Sequence, residues 1–333
     1  MLNCIGLILQ SYKEWGPIQK IVPIKLETPF SEGFVYVFAV LGDTATLIDT
    51  GNPGEKSFYE LKSQLRQNGL EFKDFDHIVL THMHTDHYGG VRLIQEEVLL
   101  PVYVHELARP IITGGIYEFH RMNEFFNQFL IQCGATPLVH QYRRKYIEEN
   151  WENVHYIKNG DSISIGGSPY KVYHVPGHSQ TDILLVNHEN GFTFVGDHLI
   201  AELSVNAFIE PPKPDSNNRP KPLLQYRESL SQAKNLPLGV CYSSHGQPFQ
   251  EHAKLIDQRL MEHENRCSNI HKILQSGQKS IFEICQEMYP RLKGTSVFLG
   301  LSQIQGHLDL MEERELVSSE EINEILYYRL RSD

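Results

Sequence analysis

The chain has 333 residues, of which 30 are Lys or Arg and 41 are Asp or Glu, so its formal net charge is −11. This length allows roughly two domains of ordinary size and excludes a small scaffold stabilised mainly by disulfides. The negative charge argues against unaided binding to nucleic acid or to an anionic membrane. Charged residues make up 21% and aromatic residues 10% of the chain, which is typical of globular enzymes and excludes a disordered chain.

The five cysteines are scattered along the chain and none forms a Cys-x-x-Cys pair. An odd number at wide spacing predicts free thiols in a reducing compartment. The apolar opening, residues 1–9, has no basic residues before it and is too short to span a bilayer. We interpret it as an edge strand or a poorly ordered end. No other run approaches about 18 apolar residues, so we expect a cytoplasmic protein without a membrane segment.

The first half of the chain alternates β-rich and helical patterns. Two β-rich runs, residues 34–40 and 45–48, are separated by a Gly-Asp pair, which predicts a hairpin that delivers Asp49 to the end of its second strand. Apolar residues then recur at helical spacing as far as Gly69, a residue type that commonly ends helices. The next strand, residues 76–80, suits the centre of a sheet. It leads directly into Thr81, His82, Met83, His84, Thr85, Asp86, His87, Tyr88, Gly89 and Gly90.

The middle of the chain is predicted to hold a helical insertion, residues 106–150, rich in Arg, His and aromatic side chains. Short β-rich runs return between residues 154 and 194. The Pro-rich residues 211–222 must form a loop, because proline suits neither a central strand nor a helix interior. The strand-like segments of this region end, in chain order, at His178, at Asp197 and His198, and at His245.

Beyond about residue 250 the composition changes to helix-forming residues. We place a domain boundary there, with residues 1–250 as the first domain and residues 251–333 as the second. Two helices are predicted at 280–288 and 300–317, the second of them amphipathic. Such a pair could enter a DNA groove, but residues 251–333 hold 10 basic and 14 acidic side chains, which disfavours contact with phosphates. We therefore expect this domain to serve packing or dimerisation.

Histidine and aspartate recur where the predicted strands end, and side chains at one edge of a sheet can converge into a metal site. His82 and His84 lie two residues apart, so in an extended segment they face the same way. Together with His178 they could hold one ion that keeps an open position for water, the pattern of catalytic rather than structural zinc.

A second ion could be held by Asp86, His87 and His245, and Asp197 has two oxygens with which to bridge ions about 3.5–4 Å apart. Asp49 either accepts a hydrogen bond from a ligating imidazole or caps the turn that follows it. Two divalent ions acidify a water enough to give hydroxide at neutral pH. We predict that a bridging hydroxide is the nucleophile and that Asp86 orients it. The ligands suit Zn²⁺, which we expect, and also Mn²⁺ or Fe²⁺.

The segment 81–90 resembles the His-x-His-x-Asp-His signature of the metallo-β-lactamase superfamily, in particular its glyoxalase II-like and lactamase-β-like branches. The resemblance covers most of the chain. It implies an α/β fold, a four-layer αββα sandwich with a dinuclear metal site at one edge, and a smaller, helical, winged-helix-like C-terminal domain. Ser179 and the Ser243-Ser244 pair depart from the usual residues of the family and affect loop shape more than ligation. The implied ligands are His82, His84, Asp86, His87, His178, Asp197 and His245.

Other residues near this motif allow two interpretations. Tyr88 and His198 either contact the substrate or pack against the protein. His174 is interpreted as structural. The insertion 106–150 and the loop 211–222 are expected to form the walls of a substrate groove, with dimerisation as a competing role.

These features predict a dinuclear metal-dependent hydrolase that attacks the thioester, ester or lactone carbonyl of a small acyl substrate. A phosphodiesterase or single-strand ribonuclease is an alternative, because two ions also suit phosphoryl displacement, although the net charge disfavours it. A non-catalytic, metabolite-sensing protein is a second alternative. Neither a nucleic acid nor a membrane is expected as a partner. The sequence leaves undecided whether the chain forms a homo-oligomer.

Overall fold

The computed structural model describes residues 19–30, 33–139, 145–294 and 296–331. The apolar segment 1–9, which we interpreted as an edge strand or a poorly ordered end, lies outside the described residues, as does Cys4. The other four cysteines are free and buried, as the sequence predicts: Cys133, Cys241, Cys267 and Cys285.

The first sheet has six strands in chain order, and its first three strands are antiparallel while the others are parallel. The predicted hairpin joins its second and third strands, and the predicted strand at 76–80 is its central fourth strand. The strands are β1 (Lys20–Glu27), β2 (Phe34–Leu41), β3 (Ala45–Ile48), β4 (His77–Val79), β5 (Val102–His105) and β6 (Val154–Ile157).

The second sheet has five strands in the order β11-β10-β9-β8-β7, and only its β10–β11 pair is parallel. Its strands are β7 (Ser162–Ile165), β8 (Ser168–His174), β9 (Ile183–Val186), β10 (Phe192–Gly196) and β11 (Val240–Ser243).

Helices connect the strands and cover the outer faces of the two sheets. The predicted helix after Asp49 forms, and Gly69 ends it with a positive φ of 75°. The predicted insertion 106–150 is helical only in part, since residues 145–150 have no regular structure. The helices of this part are α1 (Glu55–Gln67), α2 (Thr85–Tyr88), α3 (Val91–Glu97), α4 (Arg109–Thr113), α5 (Gly115–Gln132) and α6 (Pro222–Ala233).

Strand residues alternate between layers, and this alternation builds the sandwich. In β9, Ile183 and Leu185 point toward the first sheet, whereas Leu184 and Val186 point toward α5 and α6. A third apolar cluster, which includes Val37 of β2, lies between the first sheet and α1. Three apolar clusters therefore separate four layers, and the predicted αββα sandwich is confirmed.

The C-terminal segment contains a small sheet as well as helices, in the strand order β12-β14-β13. The sequence predicted only helices there, because the strands are short and few of their residues are buried. The order of elements is helix, strand, helix, helix and β-hairpin, and the winged-helix-like assignment stays a prediction. The elements are α7 (His252–Leu274), β12 (Lys279–Ser280), α8 (Ile281–Met288), α9 (Ser296–Glu313), β13 (Val317–Ile322) and β14 (Ile325–Leu330).

Helix α9 is not amphipathic in its burial, which corrects our expectation. Leu301 and Leu308 are fully buried, and so are the polar Gln305 and Asp309. The polar side chains are accommodated because they find partners, since Asp309 forms an ion pair with Arg219 at 2.5 Å and accepts a hydrogen bond from Gln305 at 2.8 Å. A helix buried on all sides has no free face for a DNA groove.

Candidate metal centre

The His-x-His-x-Asp-His motif starts in extended backbone and then enters a helical turn. His84 is the N-cap of α2, and Asp86 and His87 lie within its single turn. The shared orientation expected for His82 and His84 depends on this extended backbone, whereas the helical turn sets the positions of Asp86 and His87. The helical turn brings the His87 ring to within 3.9 Å of the His82 ring, centroid to centroid.

Strand ends and loops from both sheets bring the predicted ligands together in three overlapping groups whose ligand atoms lie within 4.8 Å of one another. Asp197 lies between the two predicted ion positions. Its Oδ2 is 3.4 Å from Nε2 of His178 and 3.2 Å from Nε2 of His245. The groups are His82, His84 and His178; His82, His87 and Asp197; and Asp86, His87 and His245.

Several of these atoms are buried without a hydrogen-bond partner among the described residues: Nε2 of His82, His87 and His178, and Oδ1 of Asp197. Buried polar atoms are nearly always paired, so a cluster of unpaired ones needs an explanation. Imidazole nitrogens and carboxylate oxygens are the ligands that Zn²⁺, Mn²⁺ and Fe²⁺ accept. The residues present therefore fit divalent ions.

The opposite ring nitrogen of three of these histidines is hydrogen-bonded, which points each Nε2 toward the cluster. Nδ1 of His87 lies 2.9 Å from Oδ2 of Asp49, and Nδ1 of His178 lies 2.8 Å from the carbonyl oxygen of Asn206. Nδ1 of His245 lies 2.5 Å from the carbonyl oxygen of Phe34.

Asp49 thus lies where the first of our two interpretations places it. Its carboxylate also accepts hydrogen bonds from the backbone N–H and the hydroxyl of Thr81, at 2.8 and 2.9 Å. The side chain is fully buried. The contacts described for it join the ends of β3 and β4 to the motif and do not cap the turn at residues 51–54.

Sequence reasoning missed Asp182, whose Oδ1 lies 3.5 Å from Nδ1 of His82. Burial raises the pKa of Asp182 to about 8. The available signal was an aspartate directly before the apolar strand β9, four residues after His178. Asn206 and Phe34 were also missed, and they act through backbone carbonyls, for which a sequence holds no signal.

Charges within the cluster shift pKa values in opposite directions. Burial opposes ionisation of His87, yet the carboxylates of Asp197, Asp86 and Asp49 together raise its pKa well above the ordinary value. Burial likewise opposes ionisation of Asp197, but His245, His87 and His178 lower its pKa well below that of an ordinary carboxyl group. The carboxylates thus favour positive charge at His87, whereas burial and the neighbouring His87 and His84 lower the pKa of His82 well below the ordinary value.

Of the residues with two interpretations, His198 has the surroundings of a packing residue. Its ring is fully buried, packs edge-on against Tyr226 at 5.3 Å and does not line the cavity described below. Burial lowers the pKa of His198 to about 3. Tyr88 does line that cavity, with its ring 5.6 Å from the ring of Trp151. His174 stacks on His105 at 4.0 Å, in agreement with a structural role.

A cavity of about 710 Å³ opens onto the cluster, and its walls are mostly apolar. The helical insertion contributes to it, as expected. The Pro-rich loop 211–222 does not line it, which corrects our expectation, because the residues just before that loop, 208–210, form the wall instead. Two residues of α9, Phe298 and Leu299, also line the cavity and were not anticipated.

Comparisons with known proteins agree with this geometry. The model of the metallo-beta-lactamase superfamily matches residues 29–245. The probable metallo-hydrolase YqjP of Bacillus subtilis (strain 168) is 29% identical over 317 residues, which cover 93% of this chain and 98% of that protein.

Two solved structures share the fold over nearly the whole chain. A metallo-beta-lactamase family protein from Thermus thermophilus, TTHA1429, matches with a TM-score of 0.79 at 22% identity, over 93% of this chain and 98% of that one. A beta-lactamase domain protein from Burkholderia ambifaria matches with a TM-score of 0.71 at 18% identity, over 93% of this chain and 92% of that one.

Because the family model covers more than half of the sequence, the chain belongs to the metallo-β-lactamase superfamily. It is a metal-dependent hydrolase of that superfamily. Each helix of the described ranges is too short or too polar to span a bilayer.

Proposed function

We propose that the protein hydrolyses the carbonyl of a thioester, ester or lactone with two divalent ions, preferably Zn²⁺ and alternatively Mn²⁺ or Fe²⁺. The observation that carries this proposal is the largely apolar cavity of about 710 Å³ that opens directly onto the His/Asp cluster. Its size is that of pockets for small ligands, and the cluster provides the convergent polar groups that such pockets use.

The chain's own residues would divide the work between them. His82, His84 and His178 would hold one ion, and the group containing Asp86 would hold the other, with Asp197 between them. When bound, such ions polarise a carbonyl and acidify a water molecule. Asp86 lines the cavity, so its carboxylate can accept a hydrogen bond from the attacking water and hold it in line with the carbonyl.

A phosphodiesterase acting on single-stranded RNA is the competing proposal, and the described residues favour it less. The net charge of −11 opposes the approach of a polyanion. A small acyl compound is therefore the partner we propose. A cytoplasmic location and a homo-oligomeric state remain proposals that rest on the sequence.

The experiment compares the wild-type chain with His84→Ala and Asp197→Ala, using His271→Ala, an exposed histidine of α7, as the matched control. Elemental analysis should find about two ions per wild-type chain. A panel of thioesters, esters, lactones and short RNA should show acyl hydrolysis that both ligand variants lose and the control keeps.

Full acyl hydrolysis by metal-stripped protein would contradict the proposal. RNA cleavage that exceeds acyl hydrolysis and falls steeply with salt would favour the phosphodiesterase, because phosphate contacts release counterions. Two ions per chain with no hydrolysis of any substrate would favour the metabolite-sensing alternative.

A further inference from the structure

We propose that the acyl group of the substrate is an apolar chain bound between α5 and α9, and that Phe298 of α9 sets the longest chain that the cavity accepts. This inference rests on the proposed function and names the substrate class of the same cavity. It also assigns a role to the C-terminal segment, which would complete the acyl site.

The aromatic wall formed by α5 and α9 carries the inference. Phe298 and Phe126 both line the cavity, and their rings meet edge to face with centroids 5.5 Å apart. Phe129 packs against Phe298 at 5.8 Å but does not line the cavity. All three side chains are buried in the apolar cluster that covers the second sheet. The cavity therefore ends on one side against a packed aromatic core.

This wall is continuous with the residues that flank the predicted metal ligands. The ring of Phe208 lies 4.9 Å from the His84 ring and 5.4 Å from the His178 ring. The backbone N–H of the next residue, Ile209, donates a hydrogen bond of 2.8 Å to the hydroxyl of Ser302 on α9. An apolar surface thus leads from the reacting end of the cavity toward the wall that α9 forms.

Helix α9 is also attached to the loop that orients His178. The side-chain amide of Asn206 donates to the carbonyl oxygen of Leu299 at 2.8 Å, while the backbone carbonyl of Asn206 faces Nδ1 of His178. The hydroxyl of Ser302 lies 3.2 Å from the carbonyl oxygen of Ala207, to which it donates. These bonds hold Phe298 at a set distance from the metal cluster. A residue that limits the length of the substrate must have such a fixed distance from the reacting end.

The acidic side chains near this wall have partners in the protein. Both oxygens of Glu118 accept hydrogen bonds from Arg121, at 2.6 and 2.7 Å. Glu210 accepts a hydrogen bond from the backbone N–H of Gln180 at 3.0 Å. Because these carboxylates are already engaged, the wall is suited to hydrocarbon. Lys145, which also lines the cavity, belongs to residues 145–150 and not to α5 or α9.

The test uses N-acetylcysteamine thioesters and p-nitrophenyl esters whose linear acyl chains run from acetyl to dodecanoyl. For the wild-type chain, kcat/KM should rise about fourfold with each added methylene, the value of burying one methylene. It should then fall once the chain reaches the aromatic wall. In Phe298→Leu this limit should move to longer chains, and the first chain that the wild type rejects should gain about tenfold in kcat/KM.

Phe129→Leu is the matched control, because it makes the same replacement in the same cluster behind the wall. It should lower stability without moving the chain-length limit. Phe298→Met provides a second variant if Phe298→Leu fails to fold, as judged by near-UV circular dichroism.

The outcomes separate this inference from the function on which it rests. Absence of hydrolysis for every ester and thioester would overturn the proposed function. Hydrolysis with a kcat/KM that does not depend on chain length, or an equal shift of the limit in the Phe129 and Phe298 variants, would overturn the inference alone.

Discussion

Asp49 shows how one residue can combine an unusual backbone conformation with a role at the site. Its φ is 61°, in the left-handed region that few residues other than Gly, Asn and Asp adopt. This conformation turns the chain at the end of β3 and lets the carboxylate reach both Thr81 and His87. Sequence placed Asp49 at a strand end, but the conformation that selects its partners follows from the packing of β3 beside β4.

Replacing Asp49 with Asn should weaken metal binding by roughly 10- to 100-fold, the usual effect of losing a carboxylate that orients a ligating histidine. Asn also tolerates a positive φ, so the backbone strain is unchanged, while the negative charge is lost and one acceptor oxygen is replaced by an amide donor. The measurement is metal retention during titration with a chelator. Asp76→Asn, an exposed carboxylate that accepts a backbone hydrogen bond at the start of β4, is the control. Equal metal affinity in both variants would argue against the role of Asp49.

At the level of the element, the sequence pattern of α9 led to a wrong prediction of which faces of the helix are buried. Its apolar residues at helical spacing predicted one buried face, and the polar residues between them predicted an exposed one. The structure buries both faces, because α6, α7 and α8 all pack against this helix. The burial of the polar side chains is tolerated because they have partners. The partners of Gln305 and Asp309 come from elsewhere in the chain, and that of His307 is a backbone carbonyl of the previous helical turn.

His307 of α9 should make the stability of the fold depend on pH. Burial, with the nearby Arg266 and Arg227, lowers its pKa to about 4, and Glu264 and the bond to the Gln303 carbonyl oppose this only in part. The neighbouring His263 of α7, 5.8 Å away between ring centroids, has its pKa lowered to about 3 by burial and His307. Between pH 6.5 and about 4 the unfolded chain therefore binds more protons than the native chain, so stability decreases as pH falls.

The variant His307→Gln removes one of these groups. The quantity of interest is the free energy of unfolding of the wild type minus that of this variant. It should have its full value above pH 6.5 and be smaller by about 1.4 kcal/mol at pH 5.5. Urea unfolding at pH 7.5 and pH 5.5 measures the difference, and contributions from groups that do not interact with His307 cancel in the comparison. His271→Gln, at an exposed position, should show no such change. A pH-independent difference for His307→Gln would refute the assignment.

At the scale of the whole molecule, the expected boundary near residue 250 falls within a continuous apolar cluster. Leu184 and Tyr226 from one side belong to the same cluster as Ile256, Leu301 and Met311 from the other. Burial of apolar surface is the main stabilising term of a fold, so neither side is expected to keep its packing without the other.

We therefore expect the metal-free full-length chain to unfold in a single cooperative transition. Calorimetry should give equal calorimetric and van't Hoff enthalpies, the usual criterion for two-state unfolding. Two resolved transitions would show that residues 251–333 form an independently stable domain, as the composition change alone suggests.

The resemblance of residues 81–90 to the metallo-β-lactamase superfamily implied the αββα class, and the sequence by itself determined the β2–β3 hairpin, α1, β4, and the types and order of the predicted metal ligands. These properties depend on short-range patterns, such as alternation within a strand or the four closely spaced residues of the motif, and a local pattern is visible in one chain read in order. Only the tertiary structure decided the burial of His198, the contact of Asp182 with His82, the support of His178 by Asn206 and the aromatic wall of the cavity at Phe298. Most of these features join residues distant in sequence, and some act through backbone carbonyls that every residue possesses, so they exist only once the layers have packed.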